Sequence, residues 1–129
     1  MSRTSSDTDF PRRVLVADDD DEFRCAVADL IELDGWCVCQ ASDGRQALDC
    51  ARELRPDVLL IDHRMPGLTG VEVVRKLRAE RILVPVVMVS AAHDLDDLAD
   101  AAGIPCRLLK PFSFDELGGV LRRAVRGRC

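Results

Sequence analysis

Five short apolar runs without regular polar alternation constrain this chain more than any other feature. They are VLVA ending at Ala17, CVCQA ending at Ala41, VLLI ending at Ile61, VPVVMV ending at Val89 and CRLL ending at Leu109. A strand with one wet face alternates apolar and polar residues, so runs of this kind read as strands covered on both faces. Helical patterns separate them. Phe23, Val27, Leu30 and Ile31 recur at helical spacing over Asp21 to Asp34, and Gly35 closes that segment. Asp43 and Gln46 form a capping pair before Ala47, Leu48, Ala51 and Leu54, and Pro56 ends that helix. Thr69 with Glu72 opens a third helix through Val71, Val74 and Leu77. His93 to Ala102 reads as a fourth, ended by Gly103, and Ser113 with Glu116 caps a fifth bearing Leu117, Val120, Leu121, Ala124 and Val125. Strand and helix alternate five times, which specifies α/β architecture with a doubly wound five-stranded parallel sheet, its crossovers right-handed.

At 129 residues, the length suits one domain with a substantial core. The domain is expected over residues 13–127, with residues 1–12 as a disordered N-terminal tail. No apolar stretch approaches the ~20 residues that span a bilayer, which argues against a membrane. MSRTSSDTDFPRR lacks the apolar core of a secretion signal, which points to the cytoplasm. A net charge of −5 disfavours direct binding of nucleic acid, with the Arg-rich RRAVRGRC a local exception. Six cysteines (Cys25, Cys37, Cys39, Cys50, Cys106 and Cys129) include no CxxC pair and mostly fall in apolar runs, so they read as small hydrophobes rather than disulfide or zinc partners.

Polar residues stand where four of the apolar runs end: Asp18 and Asp19, then Asp62, Ser90 and Lys110. In an open parallel sheet the carboxyl ends of the strands line a crevice, so these positions converge. Carboxylate oxygens suit Mg²⁺, which takes one or two protein carboxylates together with substrate phosphate. The plainer alternative for Asp18 to Glu22 is a solvated acidic helix start, and it is preferred for Asp20, Asp21 and Glu22. Asp62 follows a fully apolar strand, where a carboxylate is costly to desolvate unless a cation or hydrogen bonds meet it. It is a candidate nucleophile that would form an acyl phosphate, or else a cap of the following turn. Lys76 and Lys110 are the two lysines among 18 basic residues. A compact ammonium at a strand end suits a point contact to phosphate, against the alternative of a snorkelling surface side chain. The Ser90 hydroxyl could donate to a phosphoryl oxygen or satisfy local backbone.

VLVADDDDEF, LLIDHRMPGLTG, VMVSAA and LLKPF, in that order, resemble the receiver domain of bacterial two-component response regulators over nearly the whole chain. The resemblance implies a flavodoxin-like (β/α)5 fold with strand order 2-1-3-4-5. It implies Asp62 as phosphoacceptor and Mg²⁺ held by Asp18, Asp19, Asp62 and the backbone carbonyl of Arg64. Ser90 and Lys110 would grip the phosphoryl group, and the peptide before Pro111 would be cis. The donor would be a phosphohistidine on a sensor histidine kinase or phosphotransfer protein. Phosphorylation, adding roughly −1.5 to −2 charge, would switch the face made by the fourth helix, fifth strand and fifth helix toward a downstream protein or output domain. The domain would act as a signalling switch, not an enzyme on outside substrates, catalysing only its own phosphotransfer and dephosphorylation. Two rival readings are a small Mg²⁺-dependent phosphatase and a pseudo-receiver that binds partners unphosphorylated.

This chain departs from the family pattern at Arg107, where receivers usually carry Tyr or Phe three residues before the lysine. Arg64, two residues after the acceptor, would overhang the phosphoryl site and either shield it or aid departure. The fourth helix holds Asp94, Asp96, Asp97 and Asp100, whose like charges predict a marginal, mobile helix. That acidity beside Arg107, Arg122 and Arg123 also predicts a charged face for homodimer formation. His63 and His93 are expected to line loops. The chain ends about where the last helix should, as a stand-alone receiver or a piece of a longer regulator.

Overall fold

The computed structural model describes residues 12–91 and 95–129, so most of the expected tail, together with His93 and Asp94, lies outside the described residues. Strands β1 (Arg13–Ala17), β2 (Cys37–Ala41), β3 (Val58–Asp62), β4 (Val86–Ser90) and β5 (Cys106–Leu109) alternate with helices α1 (Asp21–Leu33), α2 (Gly44–Leu54), α3 (Gly70–Ala79), α4 (Leu95–Ala101) and α5 (Phe114–Val125). The strands form one parallel sheet in the order β2-β1-β3-β4-β5. The expected doubly wound, flavodoxin-like fold is the observed one.

Absence of alternation has a direct cause in the packing. Leu15, Ala17, Leu59, Ile61 and Met88 point into a core beneath α2, α3 and α4, joined by Leu48, Val73, Leu77 and Ala99. Their neighbours Val14, Val16, Val58, Leu60, Val87 and Val89 face the opposite core, against Val27 and Ile31 of α1 and Leu117, Val120 and Leu121 of α5. Every residue of β3 is buried, and each large aliphatic side chain so placed contributes roughly 1.5–3 kcal/mol. The edge strand β2 is covered less fully, with Cys37 and Gln40 exposed.

Helix starts follow the sequence signals with one difference. Thr69 and Glu72 make both bonds of a capping box at α3, and Ser113 and Glu116 do the same at α5. At α2, Asp43 accepts from the Gln46 backbone at 2.8 Å, but the Gln46 side chain instead accepts from the backbone N–H of Ser42 at 2.9 Å. The long amide side chain reaches one residue past the cap.

The cysteine expectation is corrected at one pair. Cys106 and Cys129 are joined as a disulfide, with their Cα atoms 5.0 Å apart, while Cys25, Cys37, Cys39 and Cys50 are free thiols. Cys106 does lie in the apolar core as its sequence context indicates. A partner 23 residues away carries no local spacing signal, because the fold-back of the chain after α5 creates the contact.

Candidate phosphoryl and metal site

Register brings the polar strand ends level. Ala17 stands opposite Ile61, so Asp18 draws alongside Asp62, and Asp62 in turn faces Val89, one residue before Ser90. Ser90 stands opposite Leu109, and the backbone N–H of Lys110 donates to the Ser90 carbonyl at 3.0 Å. Four segments far apart in sequence therefore end at one edge of the sheet.

Asp18, Asp19 and Asp62 each offer a carboxylate oxygen, and these atoms all lie within 4.8 Å of one another. Asp18 is 3% and Asp62 8% exposed, whereas Asp19 opens to solvent. Lys110 Nζ lies 2.9 Å from Asp18 Oδ2 and 3.8 Å from Asp62 Oδ2. Asp18 Oδ1 also accepts from the backbone N–H of Asp20 at 2.9 Å. One ammonium beside three carboxylates leaves an uncompensated negative surplus. The Asp62 carboxyl is pushed up to about 6, chiefly by burial; Lys110 and the His63 backbone N–H draw it down, while Asp18 and Asp19 raise it. A compact hard cation would relieve that surplus, so the donor set fits Mg²⁺. Ser90 is 1% exposed and ends β4 at the same edge of the sheet.

Arg64 is exposed and shares the wall of a cleft of about 580 Å³ with Asp19, His63, Pro66 and Thr69. His63 Nδ1 is buried, with no hydrogen-bond partner among the described residues. The peptide between Lys110 and Pro111 is cis.

Two contributors escaped the sequence reading as site residues. Phe23, assigned to the apolar face of the first helix, lies beneath the Lys110 ammonium at 4.2 Å and meets Phe112 edge to face. Gly70 is the second: a Cβ there would sit 2.6 Å from the Asp62 carbonyl, so only glycine lets α3 start against the end of β3. Phe112 in LLKPF and Gly70 in LTG were visible, but their roles depend on contacts between distant segments.

Arg107 defines the α4 side. Its guanidinium donates to Asp100 Oδ1 at 2.8 Å, to Asp96 Oδ1 at 3.2 Å and to the Ile104 carbonyl at 2.9 Å. The Asp96 and Asp100 charges, a repulsive i,i+4 pair alone, thus share one cation supplied by β5. Arg122 pairs with Asp34 at 3.5 Å, across to the end of α1 rather than to the acidic helix.

An open parallel α/β sheet with a carboxylate cluster and a lysine at its carboxyl edge has these groups where such sheets place their ligands. The family model for the response regulator receiver domain matches residues 14–122, and the chain belongs to that family. It is 41% identical over 118 residues to transcriptional regulatory protein PrrA of Mycobacterium tuberculosis, covering 90% of this chain and 51% of that protein. The receiver domain of Francisella response regulator 1452 superposes with a TM-score of 0.83 at 31% identity, covering 92% of this chain and 99% of that one. The receiver domain of sensor histidine kinase PA1611 from Pseudomonas aeruginosa, solved with magnesium coordinated in its active-site cleft, gives 0.82 at 29% identity over 91% of this chain and 99% of that one. The chain spans about half the length of most curated relatives it matches, from 25% to 60%. Among the described residues no helix is long and apolar enough to cross a membrane.

Proposed function

We propose that this domain, over residues 13–127, takes a phosphoryl group onto Asp62 from a phosphohistidine of a sensor kinase or phosphotransfer protein in the cytoplasm. The observation that carries this reading is the three-carboxylate cluster around Lys110, with Asp62 buried and its carboxyl pushed up to about 6. Asp18, Asp19, Asp62 and the backbone carbonyl of Arg64 would hold Mg²⁺. When bound, the ion supplies charge neutralisation for the carboxylates and the phosphoryl oxygens.

An Asp62 oxygen attacks phosphorus in line, the P–N bond to the donor imidazole breaks, and its electron pair leaves on nitrogen. Lys110 and Ser90 bind the phosphoryl oxygens that result. Lys110 is already held over the acids by Asp18 and Phe23, so little side-chain freedom remains to be lost on binding. Attack of water on the acyl phosphate later returns the carboxylate and releases inorganic phosphate. The phosphoryl group adds charge beside β4 and β5, and the α4-β5-α5 face responds by selecting a downstream protein, an output domain or a second copy of the chain. Arg107 replaces the usual aromatic in that response by tying β5 to the acids of α4.

Intact mass after incubation with acetyl phosphate tests this reading. The wild type should gain a phosphoryl mass with Mg²⁺, and neither chelated wild type nor Asp62→Asn should. No gain on wild type with Mg²⁺ present would refute the assignment.

A further inference from the structure

The Cys106–Cys129 pair lies at the opposite end of β5 from Lys110, and the family match stops at residue 122, before its second member. After α5 the chain reverses at Gly127, whose φ of 69° suits glycine, with its N–H donating to the Ala124 carbonyl at 3.1 Å. The Arg128 N–H donates to the Arg123 carbonyl at 2.9 Å. This turn carries Cys129 back to β5, the edge strand opposite β2.

The two sulfurs have unlike surroundings. Cys106 is 5% exposed among Val120, Leu121 and Ala124, whereas Cys129 is exposed in a turn that also holds Arg126 and Arg128. Cations near a thiol favour the nucleophilic thiolate, and burial in apolar surroundings disfavours it. An open cavity of about 240 Å³ borders both sulfur-bearing residues, lined also by Arg78, Pro105, Ala124 and Gly127, so a small reagent can reach the pair.

We propose that Cys129 and Cys106 form a reversible thiol–disulfide modification site that takes low-molecular-weight disulfides and thiols of the glutathione class. Cys129 thiolate attacks one sulfur of the disulfide, forming a mixed disulfide and expelling one small thiolate. Cys106 then gives up its proton and attacks the Cys129 sulfur, closing the protein bond and expelling the second small thiol. Two protein thiols are oxidised and one small disulfide is reduced to two thiols. Closure fastens the end of α5 to β5, and a reduced thiol pool opens it by the reverse exchange. This chemistry is independent of phosphoryl transfer, so the two readings stand or fall separately.

The test equilibrates the full chain with reduced and oxidised glutathione in varied ratio, quenches with acid, and counts alkylated thiols by intact mass and peptide mapping. A linked peptide joining Cys106 to Cys129 should appear and disappear reversibly with the ratio, while the other four cysteines stay alkylatable. Cys129→Ser should form no link, and opening the bond in wild type should lower the thermal midpoint by about 10 °C. Three outcomes would overturn the proposal: both thiols staying free at the most oxidising ratio, glutathione held on Cys129 without closure, or a bond that native protein never opens under reducing conditions.

Discussion

Two basic residues three positions apart near β5 use the same attraction in opposite settings. Lys110 meets Asp18, whose side chain is 4% exposed, at the sheet edge. Arg107 meets Asp96 and Asp100, which are 82% and 70% exposed. Removing one partner of a buried pair strands a charge that water cannot reach, while an exposed pair loses only what solvent screening left. Ion pairing alone therefore does not distinguish a site from a surface clamp. Burial of the acids does, at 4% and 10% exposure for Asp18 and Asp62.

The largest effect expected from breaking this contrast is at Lys110. Lys110→Met should cost about 3 kcal/mol of stability at neutral pH without divalent metal, read by urea unfolding. Added Mg²⁺ should recover much of that loss, since it supplies the missing positive charge. A loss unaffected by Mg²⁺ would mean that Lys110 acts only through packing on Phe23.

Next comes Asp62, for which the sign follows from its shift. The folded carboxyl titrates near 6 against an ordinary 3.8, so the folded state holds its proton more tightly than the unfolded chain. That contribution is fully present below about pH 4 and is lost as pH rises through 6. In chelator, Asp62→Asn should therefore be more stable than wild type at neutral pH, by on the order of 2 kcal/mol, and the difference should vanish at acid pH. Equal stability at all pH values would contradict the burial of the Asp62 carboxyl, the chief cause of its raised titration.

The smallest effect is at Arg107. Arg107→Met should cost less than about 1 kcal/mol, and high salt should narrow the difference. Amide exchange in Leu95–Ala101 should nonetheless quicken, because the clamp on the repelling pair is gone. A cost matching that of Lys110→Met would erase the distinction between the two settings.

The parts legible in the sequence are those set by local pattern. Unalternated VLLI predicted a strand buried on both faces, and β3 is; Thr69 with Glu72 predicted a capping box, and both its bonds are made. Strand-end position alone collected Asp18, Asp19, Asp62, Ser90 and Lys110 at one sheet edge. What pattern could not carry was pairing between distant segments. Phe23 reads as a core position of its helix until Lys110 is found over its ring, and Cys106 reads as a small hydrophobe until the turn at Gly127 returns Cys129 to it. The partner of the acidic fourth helix escapes local pattern for the same reason, since Arg107, which pairs with Asp96 and Asp100, belongs to β5.

On the proposed function, phosphate lands on the carboxylate of residue 62. Borohydride reduction of the phosphorylated chain, followed by peptide sequencing, tests it most directly, because an acyl phosphate on aspartate is reduced to homoserine and phosphoserine or phosphohistidine is not. Homoserine is expected at position 62, with residues 18, 19, 63 and 90 unchanged. An unaltered Asp62 with the phosphoryl mass on Ser90 or His63 would contradict it.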